Sequence, residues 1–191
     1  MVTASYNQGP YLEAAMNSVL NQAGVNVEYI VVDGGSTDGS CDIIQRYSDR
    51  LAWWVSEKDK GHADALNKGF AHSTGEIMGF LNSDDMLTPW ALSVVEEIFR
   101  TFPEVEWITS LRPLLWDVKG RAVHCPTFRG FSKQGFIRGE NLPREGEFAT
   151  DFIQQESTFW RRSLWEKAGT TVRADLHRAQ DFELEPLVTL A

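Results

Sequence analysis

Through the first hundred or so residues, short apolar runs alternate with stretches in which apolar side chains recur every three or four positions. A short continuous run suits a strand buried on both faces, and the longer spacing marks one face of a helix. The alternation therefore predicts βαβ units and a largely parallel sheet. Residues 2–5 read as a short first strand. Gly9-Pro10 opens a helix whose inner face is Leu12, Ala15, Met16, Val19 and Leu20, with Gly24 beyond its end. Residues 29–32 form a buried strand running into Asp33-Gly34-Gly35-Ser36-Thr37-Asp38-Gly39. Ser36 or Thr37 can cap the next helix, whose core side is Ile43, Ile44 and Tyr47. Residues 51–56 give a third strand, and residues 62–71 a helix with Ala63, Leu66 and Phe70 inward. Residues 77–81 make a fourth strand that ends on Asn82-Ser83-Asp84-Asp85. Thr88-Pro89 starts a helix striped by Leu92, Val95, Phe99 and Phe102, and residues 105–110 supply a fifth strand.

The second half is less regular. Residues 116–121 read as a hairpin turn, and residues 125–150 are rich in Gly, Arg and Glu with no sustained period, which predicts a long loop, functional or mobile. Residues 152–160 read as extended, Ser163 as the cap of a short helix closed by Gly169, and residues 175–184 as a charged turn entering a helix that Pro186 interrupts. The expected architecture is α/β: a single Rossmann-like domain over residues 1–191, with a mixed, mainly parallel sheet flanked by helices. Residues 1–110 form its first half and residues 111–191 its second.

Composition narrows the partners. With 42% hydrophobic and 24% charged residues the chain is globular, and its net charge of −9 argues against a nucleic acid as partner. A nucleotide remains admissible, because a metal ion and local amides outweigh the overall field. Cys41 and Cys125 are too few for a disulfide framework and lack metal-site spacing, so they read as free thiols. No apolar run is long enough to span a bilayer, and residues 1–5 lead into a polar turn rather than resembling a secretory signal.

Ligands of open α/β sheets bind at the carboxyl ends of the strands, and three polar clusters fall there: Tyr6-Asn7, Asp33 and Asp84-Asp85. Adjacent carboxylates after a buried strand need cations, amides or water, and one or two carboxylates plus phosphate oxygens is how magnesium is held. Asp84-Asp85 reads equally as a cap of the Thr88-Pro89 helix. Asp33 can accept N–H groups of a nucleobase, or simply shape a glycine-rich turn. That turn is neither a dinucleotide-binding fingerprint nor a P-loop. Asp64, one turn into its helix, favours the positive end of the dipole. Gln180-Asp181-Phe182 places an acid beside an apolar side chain, which suits a general base or a charged helix start. The four histidines, His62, His72, His124 and His177, have no ligand spacing, and a loop tryptophan such as Trp116 could stack on a sugar.

Taken together, the order of residues 3–9, 30–39, 59–69, 74–76, 80–85, 155–169 and 179–184 resembles family 2 glycosyltransferases of the GT-A fold. The resemblance implies an inverting, non-processive transferase that moves a sugar from a nucleoside-diphosphate sugar to a saccharide or lipid-linked acceptor, with Mn2+ or Mg2+. By it, Ala4 and Tyr6 contact the base region, Asp33 bonds the base, Asp84 leans towards the ribose, and Asp85, with Asp84, binds the metal. Asp64 counts among the nucleotide-sugar contacts, Gln155 and Glu156 fall where residues facing the donor sugar or the acceptor are expected, and Asp181 matches the general base. The Gln-x-x-Arg-Trp signature of processive relatives is absent. Relatives usually have a longer first strand and continue past the Asp181 region. A non-catalytic nucleotide-sugar-binding domain, or a fragment of a larger transferase, is therefore the competing expectation. A cytoplasmic location is expected, with peripheral attachment to the inner membrane face left open.

Overall fold

The computed structural model describes residues 1–128, positions 130, 132, 134, 135 and 138, and residues 154–173. Strand β1 (Val2–Ser5) leads into helix α1 (Gly9–Leu20), β2 (Ile30–Asp33) into α2 (Ser40–Arg46), and β3 (Trp53–Ser56) into α3 (His62–His72). The short β4 (Ile77–Met78) precedes α4 (Ala91–Thr101). After β5 (Trp107–Ile108) come the hairpin strands β6 (Leu115–Trp116) and β7 (Ala122–His124), then β8 (Phe159–Arg161) and helix α5 (Arg162–Lys167).

Strands β1, β2 and β3 pair in parallel in the order β1-β2-β3. Beyond β4, Val2 N–H donates to Gly79 O (3.1 Å) and Leu81 N–H to Val2 O (2.9 Å), so the fourth run lies parallel along the free edge of β1. Strand β8 then inserts antiparallel between β4 and β5. The sheet is thus mixed and mainly parallel, and the departure comes where the chain returns late. Side chains alternate across it with a period of two. Ile30 and Val32 face one core, built with Leu66 and Phe70 of α3 and Leu164 and Trp165 of α5. Tyr29 and Val31 face the other, built with Leu12, Met16 and Val19 of α1, Ile44 of α2 and Phe99 of α4. At the tightest crossing, a Cβ on Gly69 would lie 2.4 Å from Val2 Cγ1, so α3 can seat on β1 only with glycine there.

Several local expectations differ. Neither Ser36 nor Thr37 caps α2, which begins at Ser40 behind Gly39 in the left-handed region (φ 92°). Ser36 Oγ is committed to Asp33 instead. Helix α4 starts at Ala91, and Phe102 lies outside it, 48% exposed, while Leu92, Val95 and Phe99 are buried as the stripe predicts. Helix α5 starts at Arg162 rather than after a Ser163 cap; Gly169 (φ 94°) follows its end. The expected extension over residues 152–160 contains a 3-10 turn, Gln155–Ser157, before β8. The segment of Asp175 to Leu184, including Asp181, lies outside the described residues.

Candidate active site

The carboxyl ends of β1, β2 and the fourth run open on one cleft of about 460 Å³, whose lining includes Ala4, Ser5, Tyr6, Gly34, His62 and Asp84. Side-chain-to-backbone bonds set its rim. Asn7, in the left-handed region (φ 53°), receives Thr37 N–H on its Oδ1 (2.9 Å), and its own N–H donates to Ser36 Oγ (2.8 Å). Gly9 N–H donates to Asp38 Oδ2 (2.8 Å). The loops after β1 and β2 are therefore sewn together, and Tyr6, 63% exposed, projects from the seam.

Asp33 is placed differently from its neighbours. It is fully buried and accepts from Gly35 N–H (3.2 Å), Ser36 N–H (2.9 Å), Ser36 Oγ (2.5 Å) and Ser56 Oγ (2.7 Å). Its carboxylate lies beneath the cleft floor, which Gly34 lines, rather than on the wall with Tyr6 and Asp84. Gly34 is needed for a close approach, since a Cβ there would come within 2.7 Å of Asp59 Oδ2. Asp59 in turn receives Gly61 N–H (2.8 Å) and shapes the loop into α3. Asp64 accepts Lys60 N–H (3.1 Å) and pairs with Lys68 (3.3 Å); the Lys60 bond and then Lys68 hold its carboxyl below the usual range. Ser5 Oγ is buried at the cleft and, among the described residues, finds no hydrogen-bond partner.

The adjacent acids part company. Exposed Asp84 faces this cleft, whereas half-buried Asp85 faces a second hollow between α4 and the β6–β7 hairpin. There Asp85 meets Glu156, carried in by the 3-10 turn before β8. One amide serves both: Asn82 Nδ2 donates to Asp85 Oδ2 (3.3 Å) and to Glu156 Oε1 (3.1 Å). His62 Nε2 holds the other end of that amide by donating to Asn82 Oδ1 (3.1 Å). Gln155 Nε2 donates to Glu156 Oε1 (2.9 Å) and Gln154 Nε2 to Glu156 Oε2, while Gln155 Oε1 is buried and, among the described residues, unmatched. Burial first, then the charges of Glu156 and Asp84, push the Asp85 carboxyl up to about 7. Neither Asn82 nor His62 stood out in the sequence. The signal that could have found Asn82 is an amide placed between buried Leu81 and two acids, since a neutral donor there is what crowded carboxylates require.

Crowded carboxylates whose side-chain donors here are the neutral amides of Asn82, Gln154 and Gln155 fit a hard divalent cation. Among the described residues no three His, Cys, Asp or Glu side chains close a cage on their own. A cation carried with phosphate oxygens needs only one or two protein carboxylates, and Asp85, with Asp84 or Glu156, can provide those.

The architecture is that of GT-A glycosyltransferases. The chain is similar over 99% of its length to the Staphylococcus aureus TarS 1-349 structure in complex with UDP-GlcNAc (18% identity, TM-score 0.73, 52% of that chain). It is also similar over 99% of its length to the mannosyltransferase PcManGT from Pyrobaculum calidifontis in complex with GDP-Man and Mn2+ (20% identity, TM-score 0.69, 51% of that chain). Residues 1–137 match the family model described as glycosyl transferase family 2, and the chain belongs to that family. An uncharacterised glycosyltransferase of Mycobacterium tuberculosis (strain H37Rv) is 37% identical over 176 residues, 88% of this chain and 60% of the relative. The chain thus spans about half of the two solved structures and 60% of this relative. Among the described residues no helix is long and apolar enough to cross a membrane.

Proposed function

We propose that this chain carries the donor-binding and catalytic part of an inverting, metal-dependent transferase, moving a sugar from a nucleoside-diphosphate sugar to an acceptor hydroxyl. The observation that carries the reading is the Asp84-Asp85 step between two cavities. Asp84 looks into a cleft suited to a nucleotide, and Asp85 is paired with Glu156 where the reacting sugar would lie. Ala4 and Tyr6 would flank the base and Asp84 the ribose. Asp33 would act on the base through the loop it organises, and Asp64 would keep the neighbouring loop in place. Gln155 and Glu156 would meet the donor sugar.

Mn2+ or Mg2+, held by Asp85 with Asp84, would neutralise the diphosphate as it leaves. The chain's own side chains do the rest. Asn82 keeps Asp85 and Glu156 together, and Asp181 removes the acceptor proton as its oxygen attacks the anomeric carbon from the opposite face, giving inversion. That role for Asp181 rests on the family motif. Asp181→Asn should lower transfer by about a hundredfold to ten-thousandfold and leave donor binding intact. The setting we assign is cytoplasmic. Calorimetric titration of UDP, GDP and dTDP with and without Mn2+ tests the core of the reading: equal affinity in EDTA would sink the metal assignment. Nucleotide binding without donor hydrolysis or transfer would favour a donor-binding domain that does not catalyse.

A further inference from the structure

Asp85 stands on a short stretch of chain between Leu81, which pairs with β1, and the start of α4 at Ala91. On its near side a turn fixes it, since Asp85 N–H donates to Asn82 O (3.2 Å). On its far side the chain must be held by something else. The N-cap position of α4 is Trp90, whose side chain makes no capping bond. The first N–H groups of a helix lack partners within it and must find them elsewhere. One of them is met from the end of α1. Gln22 accepts Leu92 N–H on Oε1 (3.0 Å) and donates from Nε2 to Thr88 O (2.7 Å) and to Ser18 O of its own helix (2.8 Å). Ser18, one turn back, accepts Leu87 N–H on Oγ (3.1 Å) while donating to Ala15 O (2.7 Å). The Leu87 side chain is buried in the same core as Leu12, Met16 and Val19, so the loop is held by its backbone and by its apolar side.

Resting on the metal reading above, we infer that Gln22 and Ser18 are positioning residues for the cation site. They do not touch the cation; they fix the chain from two residues beyond Asp85 onwards. Asp85 follows Asp84 and lies beside Glu156, and like charges drive such groups apart. A loop anchored only at Asn82 would relieve this by swinging outwards, and the carboxylates would no longer stand ready for a cation. With Leu87, Thr88 and Leu92 held by α1, Asp85 stays in place. The other end of α1 borders the nucleotide cleft, where Gln8 lines the wall and its carbonyl accepts Leu12 N–H (2.9 Å). A helix of 12 residues, about 18 Å long, therefore ties the nucleotide wall to the acid-bearing loop as one strut.

The test titrates the whole 191-residue chain with Mn2+ alone, and with Mn2+ in the presence of UDP and of GDP, by water-proton relaxation, with thermal melts alongside. Gln22→Leu removes both grips and should weaken Mn2+ binding about tenfold, the lower end of what groups orienting metal-binding side chains contribute. Ser18→Ala should weaken it less, and Ser18→Thr, which keeps the hydroxyl, should bind like the unaltered protein. Val19→Ala removes buried packing from the same helix without touching either anchor, so it should lower the melting temperature and leave Mn2+ affinity as it was. Unchanged affinity in both Gln22→Leu and Ser18→Ala overturns the inference. A loss in Val19→Ala equal to theirs also overturns it, since the effect would then trace to stability alone. Should Gln22→Leu not fold, the Ser18 pair decides: binding weaker in Ala than in Thr supports the inference, and equal binding overturns it. No Mn2+ binding by the unaltered chain under any of these conditions brings down the metal reading and this inference with it. Binding that survives every substitution brings down this inference alone.

Discussion

Asp85 and Glu156, far apart in the chain, are held side by side by the amide of Asn82, which donates to both carboxylates. Two partly buried acids with one shared neutral donor repel each other, and Asp84 adds to the repulsion. The arrangement is costly to stability on its own and suited to a cation. Asp85→Asn should therefore stabilise the metal-free protein, on the order of 1 kcal/mol, or about 2–4 °C in melting temperature for a chain of this size. The same variant should lose the gain in nucleotide affinity that Mn2+ gives. Thermal melts in EDTA and calorimetry with Mn2+ check the two halves; a variant that melts lower and still responds to metal contradicts this account of the pair.

Asn82 is itself steered by His62 from across the cleft. Groups that orient metal-binding side chains typically contribute about 10–100-fold in metal affinity. Asn82→Ala should cost within that range. His62→Leu, which leaves the amide free to turn, should cost less, and His62→Gln, which keeps an N–H donor, should recover much of the loss. Manganese titration monitored by paramagnetic relaxation of water gives the ranking. If Gln is no better than Leu, His62 acts by bulk rather than by holding the amide.

Much of the frame was legible because burial follows periodicity. The stripe of α1 and the continuous apolar run of β2 were readable from residues 9–20 and 29–32 alone; Leu12, Ala15, Met16, Val19 and the whole of β2 are buried as predicted, and Leu20 is partly buried. Legibility failed where one polar side chain had several partners to choose from. Ser36 has the chemistry of a helix cap, but the carboxylate of Asp33 competes for it and wins, so α2 starts later behind Gly39. The bond from Asn82 to Glu156 joins segments that only the fold brings together, so no local pattern could show it.

Glu28 gives a pH dependence away from the cleft. Its carboxylate receives Thr74 N–H (2.7 Å), Thr74 Oγ (2.8 Å) and Gly75 N–H (2.9 Å), fixing the turn that enters β4. Partial burial pushes its carboxyl up, but those bonds, led by Thr74, outweigh it and hold the group below its ordinary value. A depressed carboxylate adds stability that is present above the unfolded-state value and is lost as pH falls through the folded one. Unfolding measured at pH 7 should show Glu28→Gln less stable by about 1 kcal/mol. Below the folded-state value the two proteins should converge, and a difference that persists into strong acid would show that the effect is not one of ionisation.

Asp33 invites a sharper choice, because the family motif assigns it to the nucleobase and the structure surrounds it with donors from its own loop. Four donors converge on its two side-chain oxygens. An asparagine of the same size would turn an NH2 group towards one set of those donors. Asp33→Asn should therefore destabilise the chain by about 1–3 kcal/mol, the usual effect of stranding buried partners. With the loop loosened, affinity for UDP, GDP and dTDP should fall together, since Gly34 and the seam to Asn7 lose their support. A residue that reads the base directly behaves otherwise: the protein would stay as stable as before, and one nucleotide would lose far more affinity than the others. Denaturant unfolding and the three titrations, run on one preparation, tell these apart. Ser56→Ala supplies a further check, because it removes one donor from Asp33 without touching the carboxylate. A milder version of the same uniform loss is the expected result, and a change in base preference would return Asp33 to direct contact with the nucleobase.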